Sequence, residues 1–69
     1  MKITDLDLGD EVWFIYPQGT ISYPGIVKQL NWNFEKDSKP TAIIDVAGND
    51  VEIDDTYQIA IGRKYNAKD

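Results

Sequence analysis

The chain has neither cysteine nor histidine among its 69 residues. Their absence excludes disulfides, thiolate and imidazole metal ligands, cysteine nucleophiles and the commonest general base. Bases are scarce too: seven lysines and arginines stand against twelve aspartates and glutamates, for a net charge of −5. A negative domain repels phosphate backbones, so direct nucleic-acid binding is not expected. Long apolar runs are missing, with none near the roughly 18 residues of a membrane span. Residues 1–5 meet acid too early for a secretory signal, so the sequence predicts a cytoplasmic protein without membrane contact. The segment from Asp5 superficially matches a calcium loop, but it has no glycine at its sixth position and Tyr16 at its twelfth, so no metal is expected. Carboxylates alone rarely assemble chemistry in so shallow a domain, which argues against an enzyme and against a cofactor.

What is present is a β pattern. The stretch from Leu8 to Tyr16 opens with the Gly9-Asp10 turn and runs into a strand, Glu11 to Tyr16. Alternation puts Val12, Phe14 and Tyr16 on one face and Trp13 and Ile15 on the other. Pro17-Gln18-Gly19 predicts a turn back into Thr20–Tyr23, and Pro24-Gly25 predicts a bulge, or a corner where a curved sheet bends, before Ile26–Leu30. The polar, charged run 33–40 predicts a long loop. Residues 41–46 and 51–53 flank Ala47-Gly48-Asn49-Asp50, which predicts a hairpin with Gly48 and Asn49 in its turn. Asp54–Gln58 predicts a 3₁₀ turn ahead of a last strand, Ile59–Ile61, closed by Gly62. Near the start, Ile3, Leu6 and Leu8 are expected to pack against the end of the sheet. The expected core is Val12, Phe14, Val27, Leu30, Ile44, Val46, Val51, Ile53, Ile59 and Ile61.

Five short strands, a long second loop, a tight third hairpin and one 3₁₀ turn before the last strand follow the order of a small five-stranded SH3-like barrel. Gly9-Asp10-Glu11-Val12 resembles the opening of Tudor and KOW domains, and Gly25-Ile26-Val27 resembles their second strand. Residues 45–51 are similar to the Tudor hairpin, and residues 9–62 as a whole look like small SH3-like proteins of bacteria and phages. The resemblance implies an all-β barrel over residues 1–62 with a polar tail at 63–69. The chain departs from each branch: Ala47 stands where the Tudor cage has tyrosine, the net charge is opposite to that of KOW domains, and the Ala-Leu-Tyr-Asp-Tyr motif of peptide-binding SH3 domains is absent.

Three sets of residues are candidate binding sites. Trp13, Ile15, Ile26 and Ile43 form an outward apolar set, to be covered either by the chain's own loops or by a second molecule. The aromatics Tyr16, Tyr23, Trp32, Phe34 and Tyr57 lie near the loops that form the ligand rim of SH3-like barrels, where they would stack a peptide, a base or a methylated cation or else serve as core. Asp45, Asp50, Glu52, Asp54 and Asp55 are the acids of residues 41–62, a span with no base, and form either a partner surface or a solvated face with turn caps. The leading expectation is a non-catalytic module that docks a protein partner, or its own copy as a homodimer, through the outward apolar strand face. The alternative is an acidic inhibitor that imitates nucleic acid against a host or defence enzyme.

Overall fold

The computed structural model describes residues 2–31 and 39–65. Five strands form: β1 Glu11–Ile15, β2 Ser22–Asn31, β3 Thr41–Val46, β4 Asn49–Ile53 and β5 Gln58–Arg63. All pair antiparallel in one sheet of order β4-β3-β2-β1-β5. The protein is therefore all-β, with β4 and β5 as the two edges of an open sheet. β5 runs on through Gly62 to Arg63, opposite Glu11.

Alternation sends Val12 and Phe14 of β1, Val27 of β2, Ala42 and Ile44 of β3, Ile53 of β4 and Ile59 of β5 into one buried cluster. Because both edge strands feed that cluster, the sheet is curled around it. Leu30, Val46, Val51 and Ile61, expected inside, are only partly buried, since they lie at strand ends or on the edge strands. Ile3 and Leu6 complete the cluster from the N-terminal segment, whereas Leu8 is exposed.

Strand β2 belongs to both halves of the sheet: Ser22–Ile26 pairs with β1, and Ile26–Asn31 pairs with β3. Of the bulge or corner expected at Pro24-Gly25, the register shift lies instead between Val27 and Gln29, while β2 passes from β1 to β3 at Ile26, directly after Gly25. Pro24 is tolerated because it lies where β2 has β1 as its single neighbour, so no second ladder needs its missing N–H. Gly25 is required by close approach: a Cβ there would overlap Ile44 Cγ2 and lie 3.0 Å from the Asp45 carbonyl oxygen.

One turn is as expected and one differs. Residues 54–57 close in a single 3₁₀-type turn, Tyr57 N–H donating to the Asp54 carbonyl three residues earlier and Asp54 Oδ1 accepting the Thr56 N–H, and a further 3₁₀ segment forms at Ile3–Asp5. Asp55 is drawn away from the 54–58 segment, accepting the Ile3 N–H at 2.7 Å. In the β3–β4 hairpin the turn residues are Ala47 and Gly48, with φ of 52° and 89°, and Asn49 already belongs to β4 opposite Val46. Two consecutive positive φ values suit the right-handed strand twist. Asp45 Oδ1 accepts the Gly48 N–H and fixes the turn one residue earlier than the Gly-Asn pair suggests.

A buried carboxylate ties the ends of the chain together. Asp10, fully buried, accepts hydrogen bonds from Asp7 N–H at 2.9 Å, Lys64 Nζ at 2.7 Å and Tyr65 N–H at 3.0 Å. Burial alone would push its carboxyl up, but those bonds and the Lys64 charge outweigh it and hold it below the ordinary value. Lys64 is raised by its bonds to Asp10 and Asp7.

Two outcomes follow from this geometry. Asparagine adopts the left-handed region more readily than alanine, so Ala47→Asn should stabilise the protein by about 0.5–1 kcal/mol in urea unfolding. Asp10 contributes stability in full above the unfolded carboxyl value of about 3.9 and loses it as pH falls through its lower folded value. Lys64 contributes below about 10.4 and loses it as pH rises through its higher folded value. Urea midpoints measured against pH should therefore fall at both limits, and Asp10→Asn should flatten the acid limb.

Candidate functional site

The inward face of the sheet does not stop at the core. Two residues beyond Phe14, on the same face, comes Tyr16; opposite Phe14 on β2 is Tyr23; two residues before Ile59, which faces Phe14 on β5, comes Tyr57. Strand register thus brings three tyrosines from distant positions to one end of the sheet. Their ring centroids lie 5.8 Å apart for Tyr16–Tyr23, in edge contact, and 5.3 Å for Tyr16–Tyr57. Phe14 sits beneath them at 5.9, 5.9 and 6.2 Å from Tyr16, Tyr23 and Tyr57.

The cluster is open to solvent. Tyr16 and Tyr23 are exposed, Tyr57 is half-buried, and Ile21 beside them is 63% exposed. Tyr16 is held by the turn that follows it: Gly19 N–H donates to the Tyr16 carbonyl at 2.8 Å, with Pro17 leading into Gln18 at φ 64°. Between that turn and β2 is a depression of about 370 Å³ lined by Tyr16, Gln18, Gly19, Thr20, Ile21 and Tyr23, none of them basic. Asp54 lies next to Tyr57, its carbonyl accepting the Tyr57 N–H at 3.1 Å. Burial pushes the Tyr57 phenol above its ordinary value, and Tyr16, Asp54 and Glu52 add to the rise. Asp54 is held below the carboxylate range by the Thr56 hydroxyl and N–H, against its partial burial and with the help of the Lys39 charge. Exposed aromatic faces beside carboxylates attract cations.

The outward set also shares one face. Trp13, 43% exposed, lies between Pro24 on β2 and Ala60 on β5, with its indole against Gly62. Ile26 is exposed and stands between Glu11 and Asp45; Ile43 is half-buried and stands between Gln29 and Glu52. Ile15, half-buried, pairs with Ser22 and Gln58. The outward apolar residues and the acidic residues of β3 and β4, expected as separate surfaces, are therefore interleaved.

Each of the five acids has an intrachain partner. Asp45 accepts from Gly48 N–H, Glu52 from the Thr41 hydroxyl, Asp54 from Thr56 and Asp55 from Ile3 N–H, while Asp50 pairs with Lys28 at 2.9 Å. Trp32 and Phe34 lie outside the described residues. Sequence reasoning missed Ile21, although alternation from Tyr23 places it on the same face. Among the described residues no group of carboxylates is arranged to hold a metal ion, and no helix is long and apolar enough to cross a membrane. No protein-family model matches the sequence, and no curated protein or solved structure matches it at a significant level.

The electrostatic link between Asp54 and the ring cluster is measurable. Asp54→Asn keeps an oxygen for Thr56 but removes the charge, so the Tyr57 phenol should titrate closer to an ordinary value of about 10, as read from ring-carbon NMR shifts against pH. An unmoved titration would detach Asp54 from the cluster.

Proposed function

We propose that the chain is a non-catalytic protein-interaction module, an SH3-like barrel of the small bacterial or phage kind, whose tyrosine end receives an extended basic segment of a protein partner. The barrel reading draws support from the strand order with β2 shared between two half-sheets, and from edge strands that feed one core. The observation that carries the functional reading is the gathering of Tyr16, Tyr23 and Tyr57 over Phe14, open to solvent, with Asp54 beside Tyr57. Aromatic rings supply contact area and cation attraction at little cost in side-chain entropy, which suits peptide recognition. A cytoplasmic setting belongs to the same reading, since a chain without cysteine draws nothing from an oxidising compartment.

Docking of a partner or a second copy on the outward face ranks lower, because Glu11, Asp45 and Glu52 interrupt the stripe of Trp13, Ile26 and Ile43. The nucleic-acid-mimic alternative ranks lower as well, because it requires carboxylates that already hold turns and cross-strand bonds.

Amide NMR shifts of the full chain, titrated with an arginine- and lysine-bearing extended peptide and with a glutamate-bearing counterpart, provide the test. The basic peptide should move Tyr16, Gln18, Ile21, Tyr23 and Tyr57, and the acidic one should not. Tyr16→Ala should weaken binding about 3- to 30-fold, the range of one cation–aromatic contact. Equal response to both peptides would defeat the reading; shifts confined to Asp45 and Asp50 would favour the mimic.

A further inference from the structure

The open sheet leaves two edges, and the sequence treats them differently. An edge strand presents unpaired main-chain N–H and C=O groups to any other strand, and proteins block such pairing with charge, proline or a bulge. β4 is blocked by charge: Asp50 and Glu52 stand opposite Asp45 and Ile43, and two β4 strands paired antiparallel about Val51 would set Asp50 of one copy against Glu52 of the other. β5 has no such guard over most of its length. From Gln58 to Gly62 it holds neither charge nor proline, its pairing with β1 is regular from Gln58 to Ile61, and the register shift comes only at its Arg63 end. Among the described residues β1 is its single neighbour.

This edge is complementary to itself. With Ala60 on a two-fold axis, antiparallel pairing of two β5 strands sets Ile59 of one copy opposite Ile61 of the other. Because Phe14, Trp13 and Val12 lie beside Ile59, Ala60 and Ile61, the inward rows then run on as Phe14-Ile59-Ile61-Val12 and the outward row as Trp13-Ala60-Ala60-Trp13. Ala60 is exposed, Ile61 half-buried and Trp13 43% exposed, so each row gains apolar cover across the axis. Charge fits as well. Arg63 is exposed and has no ion pair among the described residues, and it closes one strand toward Asp54 and Asp55, which lead into the other. The symmetry brings these opposite charges together twice.

We propose that the outer edge of β5 is a self-association surface, at which a second copy of this chain adds its own β5 antiparallel about Ala60 and the two sheets become one. This edge is distinct from the outward face and from the tyrosine end, and its pairing does not depend on the function proposed there.

Sedimentation of the full chain from about 10 µM to 1 mM is the test, and wild-type protein should pass from monomer to dimer within that range. Ala60→Lys and Ala60→Glu, each alone, should weaken the dimer about fivefold, since two like charges then meet on the axis, and an equimolar mixture of the two should restore it. A monomer at every concentration overturns the proposal, as does a dimer that neither charge weakens. A dimer that both variants weaken and their mixture fails to restore would place residue 60 off the axis and overturn it too. Should either variant fail to fold, amide hydrogen exchange of the wild type decides. With rising concentration, exchange should slow about fivefold or more in β5 and stay unchanged in β4; slowing in β4, or in neither strand, would overturn pairing of β5 with β5.

Discussion

A buried carboxylate must be given donors, and Asp10 obtains them in a way that commits much of the chain. Its side chain joins the N-terminal turn at Asp7 to the chain end at Lys64 and Tyr65. Its main chain works alongside: the Asp10 carbonyl accepts from Val27 N–H, and Gly9 N–H donates to the Val27 carbonyl. One residue thus sets where β1 begins, where β2 passes it and how β5 ends. Removing the Lys64 ammonium would leave the buried carboxylate without its cation, a far larger penalty than losing a surface ion pair.

Local patterns foretold the strands well because each is governed by neighbours one or two residues apart. Val12, Phe14, Val27, Ile44, Ile53 and Ile59 keep a strict inward alternation and lie in the core. Details that depend on another strand were not legible. Pro24-Gly25 has the composition of a break, yet the strand continues because β3 approaches Gly25 closely and no second ladder needs the proline. The β3–β4 turn falls on Ala47 and Gly48 because the Asp45 side chain selects it over the Gly-Asn pair. Within the turn of residues 54–57, which forms as its composition suggests, the Asp55 side chain holds Ile3, a bond across 52 residues that no local rule anticipates.

The binding end was partly legible for the same reason. Tyr16 shares the parity of Phe14, so its face was readable, but its meeting with Tyr23 and Tyr57 depends on three-strand register. The acids of residues 41–62 read as one surface when counted along the chain, whereas in space Asp45, Asp50 and Glu52 face outward among isoleucines and Asp54 and Asp55 cap turns. Charge counted by segment says little about charge arranged by face. The clasp on Asp10 gave no signal at all, since its carboxylate and its ammonium are 54 residues apart.

The antiparallel pairing of β1 with β5 has a mechanical consequence. Glu11 opens β1 and lies opposite Arg63 at the close of β5, so the strands enter and leave the sheet at the same place. A pull applied at Lys2 and Tyr65 would load this ladder from one end and break its bonds one after another, as a zip opens, instead of all together in shear. The contacts of Lys64 and Tyr65 on Asp10 lie ahead of the first rung and would yield first. Under tension between its ends, such a domain would extend at low force, whatever its stability at rest.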